Sequence, residues 1–141
     1  MTYCYEKTKD LDKSKNEIRK RIMAVDDEPD MNTTLQVGLG CNGFHVDTFS
    51  DPQLALKSFK PDLYALVLID IMMPKTSGFE LYEQLKKIDP DVKVCFLTAS
   101  ELYHEDIREV EHFALNKDVF LQKPISTDDL IREINKKIDG N

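Results

Sequence analysis

Five side chains in this sequence could do chemistry as a group. Asp26 and Asp27 follow the short apolar run 21–25, and Asp70 follows the run 65–69. Thr98 lies at the end of the run 92–99, and Lys123 follows 119–122. Each sits where an apolar run stops. An aspartate placed directly after a run as apolar as Ala65-Leu66-Val67-Leu68-Ile69 is costly unless something compensates its charge. Three carboxylates gathered at one place resist joint ionisation. A hard divalent cation relieves that repulsion, and magnesium suits the task, because it takes a few carboxylate oxygens, keeps several waters and shares its shell with phosphate. Lys123 adds a fixed positive charge and a hydrogen-bond donor. One reachable carboxylate beside spare positive charge suits an incoming phosphoryl group, and carboxylate attack on phosphorus gives an acyl phosphate. Positioning and charge neutralisation carry such a transfer.

The elements that must position these groups are legible in the periodicity. Arg21–Val25 reads as the first strand, and Met31, Leu35 and Leu39 recur at helical spacing after it. Asn42-Gly43 marks a turn, and 44–49 alternates like a half-buried strand. Asp51-Pro52 opens a helix, with Asp51 as cap and Leu54 and Phe59 expected to point inward. The third strand is 65–69, and Leu81, Leu85 and Ile88 form the apolar face of the helix that Asp89-Pro90 stops. Residues 92–99 read as the fourth strand. A polar helix over roughly 101–115 follows, with Ile107, Val110 and Ala114 inward. Residues 119–122 are the fifth strand, and Ser126 caps a last helix whose inner residues are Leu130, Ile134 and Ile138.

Strands alternate with helices, and the central runs are continuously apolar, as parallel strands covered on both faces must be. The expected fold is therefore a single doubly wound α/β domain with a five-stranded parallel sheet and helices on both faces. In such sheets ligands bind beyond the carboxyl ends of the strands. That rule sends Asp26, Asp27, Asp70, Thr98 and Lys123 to one rim. Taken singly, each has a plain structural reading: a solvated loop for the first acids, a strand-end hydroxyl for Thr98, a surface amine for Lys123. Together they are hard to explain that way.

At these residues the sequence resembles the receiver domain of two-component response regulators, which is CheY-like. The motifs are VDDEPD, LIDIMMPKTSGFEL, FLTAS and FLQKPIS, in order, each at the end of a strand and together spanning roughly 21–138. The resemblance implies a flavodoxin-like strand order of 2-1-3-4-5. It implies that Asp70 accepts the phosphoryl group, that Asp27 ligates Mg2+ directly, that Asp26 acts through water, and that the Met72 carbonyl completes the protein's share of the shell. It matches Thr98 to the hydroxyl that binds a phosphoryl oxygen, Ala99 to the small residue beside it, Lys123 to the lysine on the acyl phosphate, and Phe120 to an aromatic switch. The Lys123-Pro124 bond is often cis in such proteins. A sensor histidine kinase or phosphotransfer protein would be the donor, and an unidentified protein the downstream target. The protein would be no enzyme beyond its own phosphotransfer and autodephosphorylation. The segment between Thr98 and Lys123 departs from the pattern, being a few residues longer, with Phe113-Ala114-Leu115-Asn116-Lys117 in place of the common Gly-Ala pair.

Composition narrows the alternatives. The chain has 141 residues with a net charge of −7. Residues 1–21 carry seven Lys/Arg against four Asp/Glu, or +3, and the remainder carries 12 against 22, or −10. An acidic body argues against nucleic acid as partner, which requires clustered cations. No apolar run approaches the ~20 residues that cross a bilayer, and the first residues lack the apolar core of a secretory signal. A cytoplasmic location is therefore the default. Residues 1–20 are expected to be a basic, polar, flexible extension, and 21–141 the receiver domain. Cys4, Cys41 and Cys95 show no metal-ligand or redox spacing, and Cys95 reads as a small core residue. Met72 and Met73 read as packing residues. Gly38-Leu39-Gly40-Cys41-Asn42-Gly43 fits G-x-G-x-x-G, but it ends a helix and precedes a strand, the reverse of the dinucleotide context. A single-domain regulator with a protein contact as output fits best. The rivals are a receiver excised from a larger regulator or hybrid kinase, a binding module with an unused acid site, and a small magnesium-dependent aspartyl-phosphate phosphatase. The last wants a second aspartate two residues after the nucleophile, where this chain has Met72.

Overall fold

The computed structural model describes residues 21–73, 76–98 and 120–139. The chain runs β1 (Arg21–Val25), α1 (Pro29–Gly40), β2 (His45–Phe49), α2 (Pro52–Ser58), β3 (Leu66–Asp70), α3 (Gly78–Ile88), β4 (Val94–Thr98), β5 (Phe120–Gln122) and α4 (Thr127–Asp139). All five strands are parallel, in the order β2-β1-β3-β4-β5, as expected. Residues 1–20, Ala99 and the helix expected over 101–115 lie outside the described residues.

Side chains alternate across a strand, so β1 feeds two cores at once. Met23 and Val25 join Val67, Ile69 and Phe96 under α2 and α3. Ile22 and Ala24 join Leu66, Leu68, Cys95 and Leu97 under α1 and α4. This is why β3 and β4 are apolar at every position: both faces are covered. No described helix is long and apolar enough to cross a membrane.

The caps follow the sequence. The Gln53 amide donates to the Asp51 carboxylate at 2.9 Å, and the Glu80 amide donates to the Ser77 hydroxyl at 3.2 Å. The Asp129 amide donates to the Ser126 hydroxyl at 3.1 Å. The G-x-G-x-x-G stretch closes α1 and turns into β2, with Gly43 at φ 90°, where only glycine sits without strain.

Three expectations fail. Leu54 is 53% exposed, because Ala55 and Phe59, four apart, take the inner face of the short α2. Ile88 is 42% exposed, at the last turn of α3, beyond the edge of the core. Met72 is 57% exposed, while its neighbour Met73 is buried.

A clasp ties the edge strand down. Asp47 on β2 accepts from Arg21 Nε and Nη2 at 3.2 and 3.0 Å and from the Tyr64 hydroxyl at 2.7 Å, with His45 Nε2 3.3 Å away. Burial acts to raise the Asp47 pKa, but the Tyr64 and Arg21 hydrogen bonds outweigh it and hold the carboxyl below its ordinary range. Burial pushes the Tyr64 phenol up to about 12, and Asp47 adds to the effect.

The loop from β3 to α3 is pressed hard against the strand. A Cβ on Gly78 would stand 2.7 Å from the Asp70 carbonyl oxygen, 2.9 Å from Ile69 Cγ2 and 3.0 Å from Ile71 Cα. Two of these are backbone atoms that cannot step aside, so Gly78→Ala is expected to destabilise by about 1–3 kcal/mol, the usual range for overpacking. A urea denaturation midpoint equal to wild type would refute this. Asp47 gives a second expectation. A depressed native pKa stabilises above the unfolded-state value and is lost as pH falls through the native one. Acid unfolding below about pH 4 should therefore be shallower in Asp47→Asn than in wild type, as followed by circular dichroism.

Candidate acidic active site

The site grows out of the strand ends. Asp70 and Thr98 are the last residues of β3 and β4 rather than the residues after them, one step earlier in the ladder than an end-of-run reading implies. Register puts Asp70 beside Leu97, and Thr98 beside Gln122. The Lys123 amide donates to the Thr98 carbonyl at 2.7 Å, which starts the turn out of β5 and carries the lysine back over the rim. The Lys123-Pro124 bond is cis.

Asp26, Asp27 and Asp70 meet. One carboxylate oxygen from each lies within 4.8 Å of the others. Asp26 and Asp70 are buried and Asp27 is half-buried. Lys123 Nζ donates to Asp26 Oδ2 at 3.1 Å and is 3.5 Å from Asp70 Oδ1. Asp26 is held twice, since its Oδ1 accepts from the Glu28 amide at 2.9 Å. The Thr98 side chain is fully buried.

Electrostatics follow from this crowding. Burial, then the Asp26 charge, push the Asp70 carboxyl up to about 6, against the opposing pull of Lys123. Burial acts to lower the Lys123 pKa, but the Asp70 and Asp26 charges outweigh it and raise the amine above its usual value. A carboxylate that holds its proton this tightly is short of positive charge. The donor set is three hard oxygens of like sign, which is the chemistry a small divalent cation satisfies.

Of the residues singled out from sequence, the structure brings Asp26, Asp27, Asp70 and Lys123 together and ends β4 at Thr98 beside them. Met72 contributes no side chain here; it is pinned by an antiparallel bridge to Ser77, and any part it plays is through its backbone. Phe120, matched to an aromatic switch, is packed inward, its ring 5.2 Å from Phe96 and 5.9 Å from Phe79. Sequence reasoning missed Asn32, which is buried on α1 and donates from Nδ2 to the Asp26 carbonyl at 2.8 Å. An asparagine at an inward helical position, seven residues before Leu39 and three before Leu35, was the available signal.

With this geometry in place, likeness to known proteins is informative. Residues 22–135 match the family model of the response regulator receiver domain. The response regulator receiver protein CpdR of Brucella abortus is 32% identical over 84% of this chain and 97% of its own length. Several curated transcriptional regulatory proteins also match, and the chain spans about half their length, 51% and 48% in two cases. Among solved structures, a CheY-like receiver domain protein from Methanospirillum hungatei superposes with a TM-score of 0.74 at 27% identity, covering 86% of this chain and 94% of that one. The response regulator TrrA from Thermotoga maritima, in complex with Mg(2+)-BeF, gives 0.68 at 32% identity, covering 83% and 97%. By the match to its family model and by its fold, this chain belongs to the response regulator receiver domain family.

Proposed function

We propose that this chain is the phosphoacceptor of a two-component relay and that Asp70 carries the phosphoryl group. Receiver domains are signalling modules that work with histidine kinases or phosphotransfer proteins, and here the acid cluster is what such a donor would address. The observation that carries the reading is the meeting of three carboxylates and one amine at the strand ends.

Three carboxylate oxygens within reach of one another support Mg2+ as the ion held here. Both Asp26 oxygens already accept hydrogen bonds from the protein, which favours Asp27 and Asp70 as direct ligands, Asp26 through water, and the Met72 carbonyl as the remaining protein donor. When bound, the ion supplies charge neutralisation for the incoming phosphate oxygens. The chain does the rest. A deprotonated Asp70 oxygen forms the new O–P bond as the donor's P–N bond breaks, and the departing imidazole takes up a proton. Lys123 stays within reach of the acyl phosphate, and the Thr98 hydroxyl serves a phosphoryl oxygen. Phosphorylation replaces the single charge of the Asp70 carboxylate by a phosphate carrying roughly one and a half to two negative charges, which these two donors bind, and that bias can be read on the surface that includes β5 and α4.

Residues 1–20 are assigned to a basic extension and 21–141 to the receiver. The relative CpdR, matched over nearly its whole length, supports a stand-alone regulator, and on that reading the output is a protein contact in the cytoplasm, without nucleic acid or membrane. The half-length matches to transcriptional regulators support the second reading, a receiver within a longer regulator. The length of the native open reading frame separates them.

The test is acetyl phosphate with magnesium, followed by intact mass. Wild type should gain one phosphoryl group, Asp70→Asn none, and wild type in EDTA none. Equal gain by Asp70→Asn refutes the assignment. Stability provides an independent check. A native pKa raised to about 6 means that ionised Asp70 destabilises the metal-free fold above that pH, and the penalty fades as pH falls towards the unfolded-state value. In EDTA at pH 7.5, Asp70→Asn should melt several degrees above wild type, with the gap closing below pH 6. Magnesium should raise the Tm of wild type by mass action and leave that of Asp70→Asn nearly unmoved.

A further inference from the structure

Asn32 sits on the sheet-facing side of α1 with Leu35 and Leu39, a position where an apolar residue would pack. It is 6% exposed. Its Nδ2 donates to the Asp26 carbonyl at 2.8 Å, and its own amide donates to the Glu28 carbonyl at 3.2 Å. The same loop is held at its start by the Asp26 amide on the Phe49 carbonyl at 3.1 Å, and internally by the Glu28 amide on Asp26 Oδ1. The Asn32 amide bond is the ordinary first backbone bond of α1, so it is the side chain, through Nδ2, that ties the helix to the start of the acidic loop.

The grip has a cost. Asn32 Oδ1 is buried without a hydrogen-bond partner among the described residues. An orphaned buried acceptor is destabilising by about 1–3 kcal/mol, and native structures keep such groups where they serve a function. Reversing the amide would bring oxygen against the Asp26 carbonyl, so the orphan is tied to the bond that Nδ2 makes. Leucine, of similar size, would satisfy the core better and could not hold the loop.

We infer that Asn32 is a positioning residue for the metal-binding trio: through the Asp26 backbone it fixes the aim of Asp26 and Asp27, with no net gain in fold stability. This rests on the reading of Asp26, Asp27 and Asp70 as a magnesium site. Outer partners of metal ligands typically carry ten- to a hundredfold in affinity.

The test is calorimetric titration of the metal-free chain with magnesium chloride, beside urea denaturation in EDTA. Asn32→Leu removes one hydrogen bond at the Asp26 carbonyl and one orphaned acceptor, effects of similar size and opposite sign. Its denaturation midpoint should stay close to wild type while its magnesium affinity falls about tenfold. A loop clamp with a purely structural role would lower stability and leave the affinity of the folded protein alone. A folded Asn32→Leu with magnesium affinity within twofold of wild type overturns the inference. Should that variant not fold, Asn32→Ala is titrated in its place against the same two outcomes. A wild type that binds no magnesium defeats the metal reading itself, which is a different failure from wild type and variant binding alike.

Discussion

Three carboxylates that repel one another are held together by strands that cannot give way. Like charges within 4.8 Å of one another, at an effective dielectric near 20, oppose each other by roughly 3 kcal/mol or more per pair. Among the described residues one ammonium group stands against them, so with these four groups ionised two negative charges remain in excess. A flexible loop would relax and let the acids part. Here Asp70 is inside the ladder of β3, and Asp26 follows a strand paired on both sides, with Val25 opposite both Phe49 and Ile69. The repulsion is therefore held in place, and after burial it is the Asp26 charge that raises the Asp70 pKa.

What keeps the strands from yielding is the pair of apolar faces. The side carrying α2 and α3 is closed near the site by Phe79, Phe96 and Phe120, with Phe96 in contact with both other rings. Aromatic groups of this size bury large areas and fix one another's angle. The opposite face is aliphatic, Leu35 and Leu39 from α1 meeting Leu130 and Ile134 from α4 across Ile22, Leu68 and Leu97. Gly78 completes the restraint from above: its missing side chain lets α3 begin directly on the Asp70 backbone, so the acceptor is confined from the chain side as well as from the core.

Much of this was legible in the sequence, for a physical reason. Parallel strands covered on both faces must be apolar throughout, so the polar residue that ends each run announces the rim. Capping at Asp51, Ser77 and Ser126 follows equally local rules, though only Asp51 and Ser126 were anticipated. Where the outcome depends on which face of a short helix wins, local pattern is silent, and Leu54 and Ile88 were placed wrongly for that reason. The Arg21–Asp47–Tyr64 clasp joins residues 26 and 17 positions apart, and nothing in His45-Val46-Asp47-Thr48-Phe49 distinguishes Asp47 from an ordinary outward residue of an alternating strand. Asn32 is different in kind: its inward position was readable, but its purpose depends on a backbone carbonyl six residues away.

The acid cluster and the Asn32 orphan are two instances of one economy. Each is a local violation, charge crowding in the first and an unsatisfied acceptor in the second, and both bear on the β1–α1 loop, the first through Asp26 and Asp27 and the second through the Asp26 carbonyl. Neither helps the chain fold. A ligand shifts an equilibrium only by what it gains differentially between states, so a site already content in its empty form would have little to offer an arriving cation or phosphoryl group. On the proposed reading, the discontent is what makes binding at this rim energetically audible to the rest of the molecule. The same argument explains why the neutralising amine comes from β5, the edge of the sheet, and not from a central strand. A charge fixed in the middle of the ladder would satisfy the acids permanently, whereas Lys123, on a turn and partly exposed, can follow the negative charge when it moves from the carboxylates to a phosphoryl group.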